Sequence, residues 1–452
     1  MTASKSKKNK YEIDMCNGTV LDKLISFSIP LMLSSILQLL FNAVDIVVVG
    51  RFSGSRALAA VGSTTALINV FTNLFIGVSL GANVLAARFY ATKQEKQMSE
   101  TVHTAVTFAL ISGIVMVFVG LFFSKAALLL MDTPSDVIGQ SALYMRIYFA
   151  GMPFFMLYNY GAAILRAVGD TKRPLFFLII AGIVNAALNL FLVIVLHLGV
   201  AGVAIATVIA QMISCLLVLR CLYRSDGSYQ LRFSAMTIKW IYLKQIFQVG
   251  IPAGIQSTVI NFSNVLLQSS VNSFGSIAMA GYTAANNIFG FLYAAANSIT
   301  QACMSFTSQN YGAGKWKRMD KVLRNCILLS VVVSLILGGG SYLFGPELLK
   351  IYTSDPKVIQ CGMEILLYTT VTYFMCGLMD LFPGALRGMG YSAIPMLLSI
   401  IGTVGTRIVW IFTRHRSLDV LFISYPASWL ITIILQVICY FFVRKRIHNP
   451  LP

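Results

Sequence analysis

The chain is 452 residues long, 57% hydrophobic and only 11% charged, with a mean hydropathy of +0.78. A soluble domain carries roughly 25% of its residues as Asp, Glu, Lys and Arg, so this composition excludes a soluble globular protein and predicts an all-α polytopic membrane protein. The formal net charge of +18 belongs to loops and tails; nucleic-acid binding would need a soluble basic domain, and none is predicted.

The chain opens with MTASKSKKNKYEID, basic and polar without the apolar core of a cleavable signal peptide. Apolar runs then recur at lengths that cross a hydrocarbon layer of about 30 Å. Twelve transmembrane helices fit best: Leu24–Val49, Leu58–Leu80, Val102–Phe123, Val137–Tyr160, Leu175–Leu196, Val200–Leu222, Leu243–Val271, Ala278–Phe306, Val322–Phe344, Val358–Leu386, Ile394–Thr413 and Val420–Phe442. They divide into a tail 1–23, a six-helix N-lobe 24–222, a linker 223–242, a six-helix C-lobe 243–443 and a tail 444–452. An even count puts both termini on one side. The basic segments KSKKNK, ATKQEK, GDTKRP, GKWKRMDK and RKRIH fall on that side with the linker, and the positive-inside rule makes it the cytoplasm.

The two lobes are related by an internal repeat of about 221 residues. Ile29-Pro30 recurs as Ile251-Pro252, Lys96 as Lys317, and the run from Ile164 to Pro174 as the run from Ala385 to Pro395. Six spans per copy give both copies the same membrane orientation. Parallel repeats of this kind build transporters.

Span one carries Ser34, Gln38, Asn42 and Asp45 at helical spacing, so they share a face. A carboxylate on an apolar helix is costly in lipid and marks a functional site by default. Span ten adds a second deep acid, Asp380, with Glu364 near its outer end. Span seven echoes span one with Ser257, Asn261, Asn264 and Gln268. Asn42 matches Asn264 under the repeat, whereas Asp45 falls on Leu267 and Asp380 on Asn159. Each lobe keeps an acid that its twin lacks. Two blander readings stay open: Asp45 as an end-of-span charge pairing Arg51 or Arg56, and Asp380 as one answering Arg387.

Asn159, Asn185, Asn287 and Tyr293 are further candidate lining residues and Asn189 a candidate ion-coupling residue; Phe155, Tyr158, Phe289, Tyr293 and Met375 are candidates to line a cavity for flat lipophilic cations, which aromatic faces attract. Arg146 and Arg407 are intramembrane cations in need of partners, for Arg407 either Asp380 or Tyr373. Pro30, Pro153, Pro252 and Pro383 lie inside spans, where they free backbone carbonyls and allow bends. The eight cysteines are scattered without CxxC or paired-His spacing, so they read as small apolar filler rather than a metal or redox site. No catalytic or nucleotide-binding motif occurs. Uphill transport would therefore draw on an ion gradient, with H+ or Na+ as coupling ion and no cofactor.

The repeat, the two Ile-Pro spans, VDIVVVG at the end of span one, and the pair LRAVGDTKRP and LRGMGYSAIP together resemble the multidrug and toxic compound extrusion (MATE) family over nearly the whole chain. The resemblance implies a two-lobe exporter of the bacterial cell (inner) membrane, working as a monomer among lipids and exchanging small lipophilic, often cationic, substrates for protons or sodium. It makes Asp45 and Asp380 the ion-coupling acids. At the span-five position where many members carry Asp this chain has Asn189, and Asn261 stands where some sodium-coupled members carry Glu. These departures leave the ion open. A flippase for lipids or lipid-linked oligosaccharides is the alternative; its phosphate-bearing substrates would call for basic cavity residues.

Overall fold

The computed structural model describes residues 10–131, 133–414 and 417–448. Most of the first basic run and the last four residues of the C-terminal tail lie outside them. Among the described residues there are helices and no strands, as expected where every backbone N–H and C=O must be paired without water.

The first half comprises α1 (Leu21–Phe52), α2 (Gly54–Ala91), α3 (Glu95–Leu130), α4 (Ile138–Ala150), α5 (Met152–Ala167), α6 (Lys172–Leu190) with a π-helical turn at Phe191–Val195, and α7 (Gly199–Tyr223). The second comprises α8 (Trp240–Asn272), α9 (Ser276–Gly312), α10 (Trp316–Leu343), the short α11 (Gly345–Lys350), α12 (Pro356–Thr370), α13 (Tyr373–Gly388), α14 (Ala393–Ser399) joined by π-helical Ile400–Gly405 to α15 (Thr406–Arg414), and α16 (Leu418–His448). Counting α4–α5, α12–α13 and α14–α15 as broken single segments, and leaving α11 aside, twelve helical segments result among the described residues. Eight are individually long and apolar enough to cross a membrane, and α12–α13, bent by 43°, makes a ninth. The other three, α4–α5, α8 and α9, fall below that measure.

The breaks have local causes. Pro153 stands in the first turn of α5, where its missing N–H costs nothing, and Gly151 separates it from α4. Pro383, in contrast, sits inside α13, and the bend of that span falls upstream at Val371–Thr372. Gln436 of α16 donates to the Pro395 carbonyl at 2.7 Å and to Ser399 Oγ at 2.9 Å, and Thr432 pairs with Thr403 at 3.0 Å. The π-helical stretch is thus tied down by side chains of its neighbour.

Two compact units emerge. One comprises residues up to Asp14 and Leu33–Ile251; the other comprises Met15–Met32 and the chain from Pro252 onward. Each unit therefore takes the start of one long helix from the other half of the sequence: α1 belongs to the second unit through Met32, and α8 to the first through Ile251. Pro30 and Pro252 stand at these changeovers. The linker after α7 packs within the first unit, where Leu231 is buried and the Arg232 N–H donates to His103 Nε2 at 3.0 Å.

Internal packing repeats as well. In the first unit α5 packs against α2, α3 and α7, and α6 against α7; in the second α13 packs against α9, α10 and α16, and α15 against α16. Gly169 and Gly390, twins in the repeated motif, both adopt left-handed φ, +96° and +95°. That conformation favours glycine. It ends α5 and α13 in the same way.

Candidate functional site

In the first unit α1, α6 and α7 bring together a polar cluster inside apolar walls. Asn189 Nδ2 donates to Asp45 Oδ1, and Thr207 Oγ1 approaches Asp45 Oδ2 at 3.1 Å. The same Asn189 amide reaches Asn185 Oδ1 at 3.2 Å. Thr207 has one proton, and the Val203 carbonyl at 3.0 Å competes for it. Asp45 is 7% exposed and Asn189 fully buried. Asn189 Oδ1 is a buried acceptor with no partner among the described residues.

Asp45 forms no ion pair among the described residues. Arg51 and Arg56 are exposed, so its hydrogen-bond partners are Asn189 and Thr207 rather than either arginine. Tyr144 and Tyr148, stacked with ring centroids 6.2 Å apart on α4, lie within the electrostatic reach of Asp45. The rest of the α1 stripe does not join the cluster: Gln38 and Asn42 are exposed, and Ser34 is half-buried.

The oxygens gathered here are the Asp45 carboxylate, Asn189 Oδ1, Asn185 Oδ1 and Thr207 Oγ1. Such a set can supply oxygen ligands to a hard monovalent cation, and the Asp45 carboxylate can take up a proton. Among the described residues no group of three or more His, Cys, Asp or Glu side chains gathers as a metal site.

In the second unit Asp380 is half-buried on α13 and forms no ion pair within 4 Å among the described residues. Arg387, about two turns on, exerts its charge on Asp380 but donates Nη2 to Gln256 Oε1 at 2.6 Å. Tyr293 of α9, itself exposed, lies in the field of Asp380. Asn159, the repeat twin of Asp380, turns back onto the Phe155 carbonyl at 2.8 Å.

The α8 stripe separates into individual contacts. Ser257 bonds the Ala253 carbonyl at 3.2 Å, Asn261 is exposed, and Gln268 donates to Asn272 at 2.8 Å. Asn287 is exposed and bonds the Thr283 carbonyl at 3.0 Å. Among the described residues, Asn264 alone of this stripe makes a hydrogen bond to another helix: its Oδ1 accepts from Arg407 Nη1 at 2.8 Å. Arg407 therefore hydrogen-bonds neither of the partners expected for it, Asp380 and Tyr373. The wider π turn at Ile400–Gly405 re-aims the residues that follow it, and the guanidinium lies over Tyr425, 4.6 Å from the ring centroid, with Nε 3.3 Å from Ser428 Oγ. Arg146 is exposed.

Thr207, Gln256, Ser428 and Tyr425 are contacts that sequence reasoning missed. Thr207 and Gln211, one turn apart in the mostly apolar α7, are the local signal that points to the first of these. Gln256 stands beside Ser257, off the face shared by Ser257, Asn261, Asn264 and Gln268.

Two duplicated helical units with membrane-length helices, and a hydrogen-bonded acid inside one of them, define a polytopic membrane transporter of the parallel-repeat class. The MatE family model matches residues 30–191 and again 252–413. The chain belongs to this family, the MATE transporters. It is 29% identical over 433 residues to the "Probable multidrug resistance protein YoeA" of Bacillus subtilis (strain 168), covering 93% of both chains. To the "Probable multidrug resistance protein NorM" of Thermotoga maritima it is 24% identical, over 88% of this chain and 87% of that one. An outward-facing structure of a multidrug resistance MATE family transporter superposes with a TM-score of 0.91 at 19% identity, over 98% of this chain and all of the other; at that identity the likeness is one of fold.

Proposed function

We propose that this chain is a secondary active exporter that expels lipophilic cationic drugs or toxins in exchange for protons or sodium, by alternating access. The observation that carries the reading is the Asp45 cluster: a buried carboxylate on a membrane-crossing helix, held by neutral donors and, among the described residues, by no cation. A carboxylate so placed gains most from a proton or a small cation, because desolvation penalises the bare charge. Family membership, and relatives named as multidrug resistance and export proteins, support the substrate class.

In this reading Asp45 binds the coupling ion with Asn189 and Thr207, and Asp380 is the second coupling acid. Substrate contacts are assigned to Ser34, Gln38 and Asn42 in the first unit, and to Ser257, Asn261, Gln268, Asn287 and Tyr293 in the second. The protein acts as a monomer in the bacterial cell (inner) membrane with both termini cytoplasmic. The flippase alternative calls for basic residues around phosphates, and the Asp45 cluster is acidic.

The test is ethidium efflux from proteoliposomes under separately imposed sodium and proton gradients. Wild-type protein is expected to accelerate efflux under one of them. Asp45→Asn should abolish the gradient-driven component while the purified variant remains monodisperse and melts within a few degrees of wild type. Undiminished gradient-driven efflux by Asp45→Asn would sink the coupling role, and absence of efflux under either gradient in wild type would sink the exporter reading.

A further inference from the structure

The second unit buries a cation for which the described residues supply no counter-ion. Arg407 is 3% exposed, and its partners are all neutral: Asn264 Oδ1 at 2.8 Å, Ser428 Oγ at 3.3 Å and the face of Tyr425 at 4.6 Å. No Asp or Glu lies within ion-pair distance of it among the described residues, and Nη2 has no hydrogen-bond partner there. A guanidinium withdrawn from water without an anion is costly, and two neutral oxygens and a ring face offset that only in part.

The repeat sharpens the point. The two matched copies start at residues 30 and 252, which sets Leu267 opposite Asp45, and the runs Ile164–Pro174 and Ala385–Pro395 set Arg407 opposite Ala186, the neighbour of Asn185. In the first unit α1, α6 and α7 enclose a carboxylate among neutral partners. In the second their counterparts α8, α15 and α16 enclose a guanidinium among neutral partners. The duplicated frame carries opposite charges in its two copies.

We infer that Arg407, held in place by Asn264 and Tyr425, forms a binding subsite for a single-charged anion: a carboxylate carried by a flat aromatic substrate, or a free halide. The planar guanidinium edge matches a carboxylate. Phe289, stacked on Tyr425 with centroids 6.2 Å apart, and Trp429, 5.6 Å from Tyr425, continue the aromatic wall. Asn264 and Phe289 are the half-buried members of this group, so the ligand enters on their side. The exporter then accepts zwitterions as well as cations. This part of the inference rests on the exporter reading; the anion site itself does not.

The experiment uses the purified full chain in two assays. Rhodamine B and its ethyl ester share a cation and differ by one carboxylate, and their export from proteoliposomes is compared for wild type and Arg407→Gln. The ratio of acid to ester export is expected to fall about tenfold in the variant, the size expected for losing one charge-assisted hydrogen bond. An unchanged ratio, with ester export that loses its dependence on chloride over gluconate in Arg407→Gln, identifies the anion as a free halide and equally supports the site. The second assay is thermal melting with benzoate or chloride, each expected to stabilise wild type and not Arg407→Gln. A wild-type protein that neither anion stabilises overturns the subsite, whether or not the variant folds. So does an Arg407→Gln variant that matches wild type in ratio, chloride dependence and anion-induced stabilisation. Stabilisation by benzoate in a wild-type protein that exports neither dye would retire the exporter reading and leave the subsite standing.

Discussion

Asp45 is legible as an anomaly in an apolar run, but its chemistry depends on Asn189 and Thr207, which lie far from it in sequence. Each partner contributes separately. Thr207→Val keeps the shape and removes the hydroxyl near Asp45 Oδ2; gradient-driven efflux should need several-fold more coupling ion, with little change in melting temperature. Asn189→Ala removes the Asp45 and Asn185 contacts together and leaves buried polar groups unpaired, at a cost of about 1–3 kcal/mol. It should lower both the melting temperature and coupled efflux. Equal loss of coupling in the two variants without any loss of stability in Asn189→Ala would count against this division of roles. Arg407 teaches the complementary lesson, since an intramembrane arginine predicts a partner without naming it.

Helix packing in the first unit depends on glycines that admit backbone. A Cβ on Gly81 of α2 would lie 2.1 Å from the Ile246 carbonyl oxygen of α8, and one on Gly250 would lie 2.4 Å from Val78 Cα. Backbone atoms cannot swing aside as a side-chain tip can, so the helices must separate. Gly81→Ala and Gly250→Ala should each destabilise by about 1–3 kcal/mol, as overpacking does, read as a lower melting temperature in detergent. Gly62, on the same helix, has nothing within 4 Å of its added Cβ, and Gly62→Ala should be neutral or stabilising by up to about 1 kcal/mol through backbone entropy. If Gly62→Ala were as damaging as Gly81→Ala, close approach would not be the cause. The π-helical turns belong to this scale too: one follows Asn189 and the other precedes Arg407, so irregular backbone accompanies the charged cluster of each unit.

Across the whole molecule, the N-terminal segment is held twice, by unlike means. Glu12 accepts from Tyr90 and Tyr229 at 2.6 Å each within the first unit. Within the second, Arg318 donates to the carbonyls of Met15, Asn17 and Gly18 at 3.1, 2.9 and 2.7 Å, and Asn310 to that of Met15 at 3.1 Å. Because these anchors are separate, Arg318→Ala should raise amide hydrogen exchange at residues 15–18 about tenfold or more while leaving 10–14 protected, an increment corresponding to about 1.4 kcal/mol of local stability. Glu12→Gln should act the other way round. Equal deprotection of both stretches by either variant would show that the segment opens as one piece.

By itself the sequence determined the membrane-embedded helical class, the duplication, and the acids and amides from which a site can be made. Hydropathy, spacing and repetition are properties of the chain as written. Sequence periodicity also showed which polar residues share a face of one helix. Only the tertiary structure decided which faces meet. It left Gln38 and Asn42 out of the Asp45 cluster and admitted Thr207, and it assigned Arg407 to Asn264 and Tyr425 rather than to Asp380. The changeovers at Pro30 and Pro252, by which each unit takes the start of one long helix from the other half, likewise depend on packing. A buried polar group in lipid must find its partner across a helix interface, where π turns and glycine contacts set the geometry, and no single-helix pattern encodes that choice.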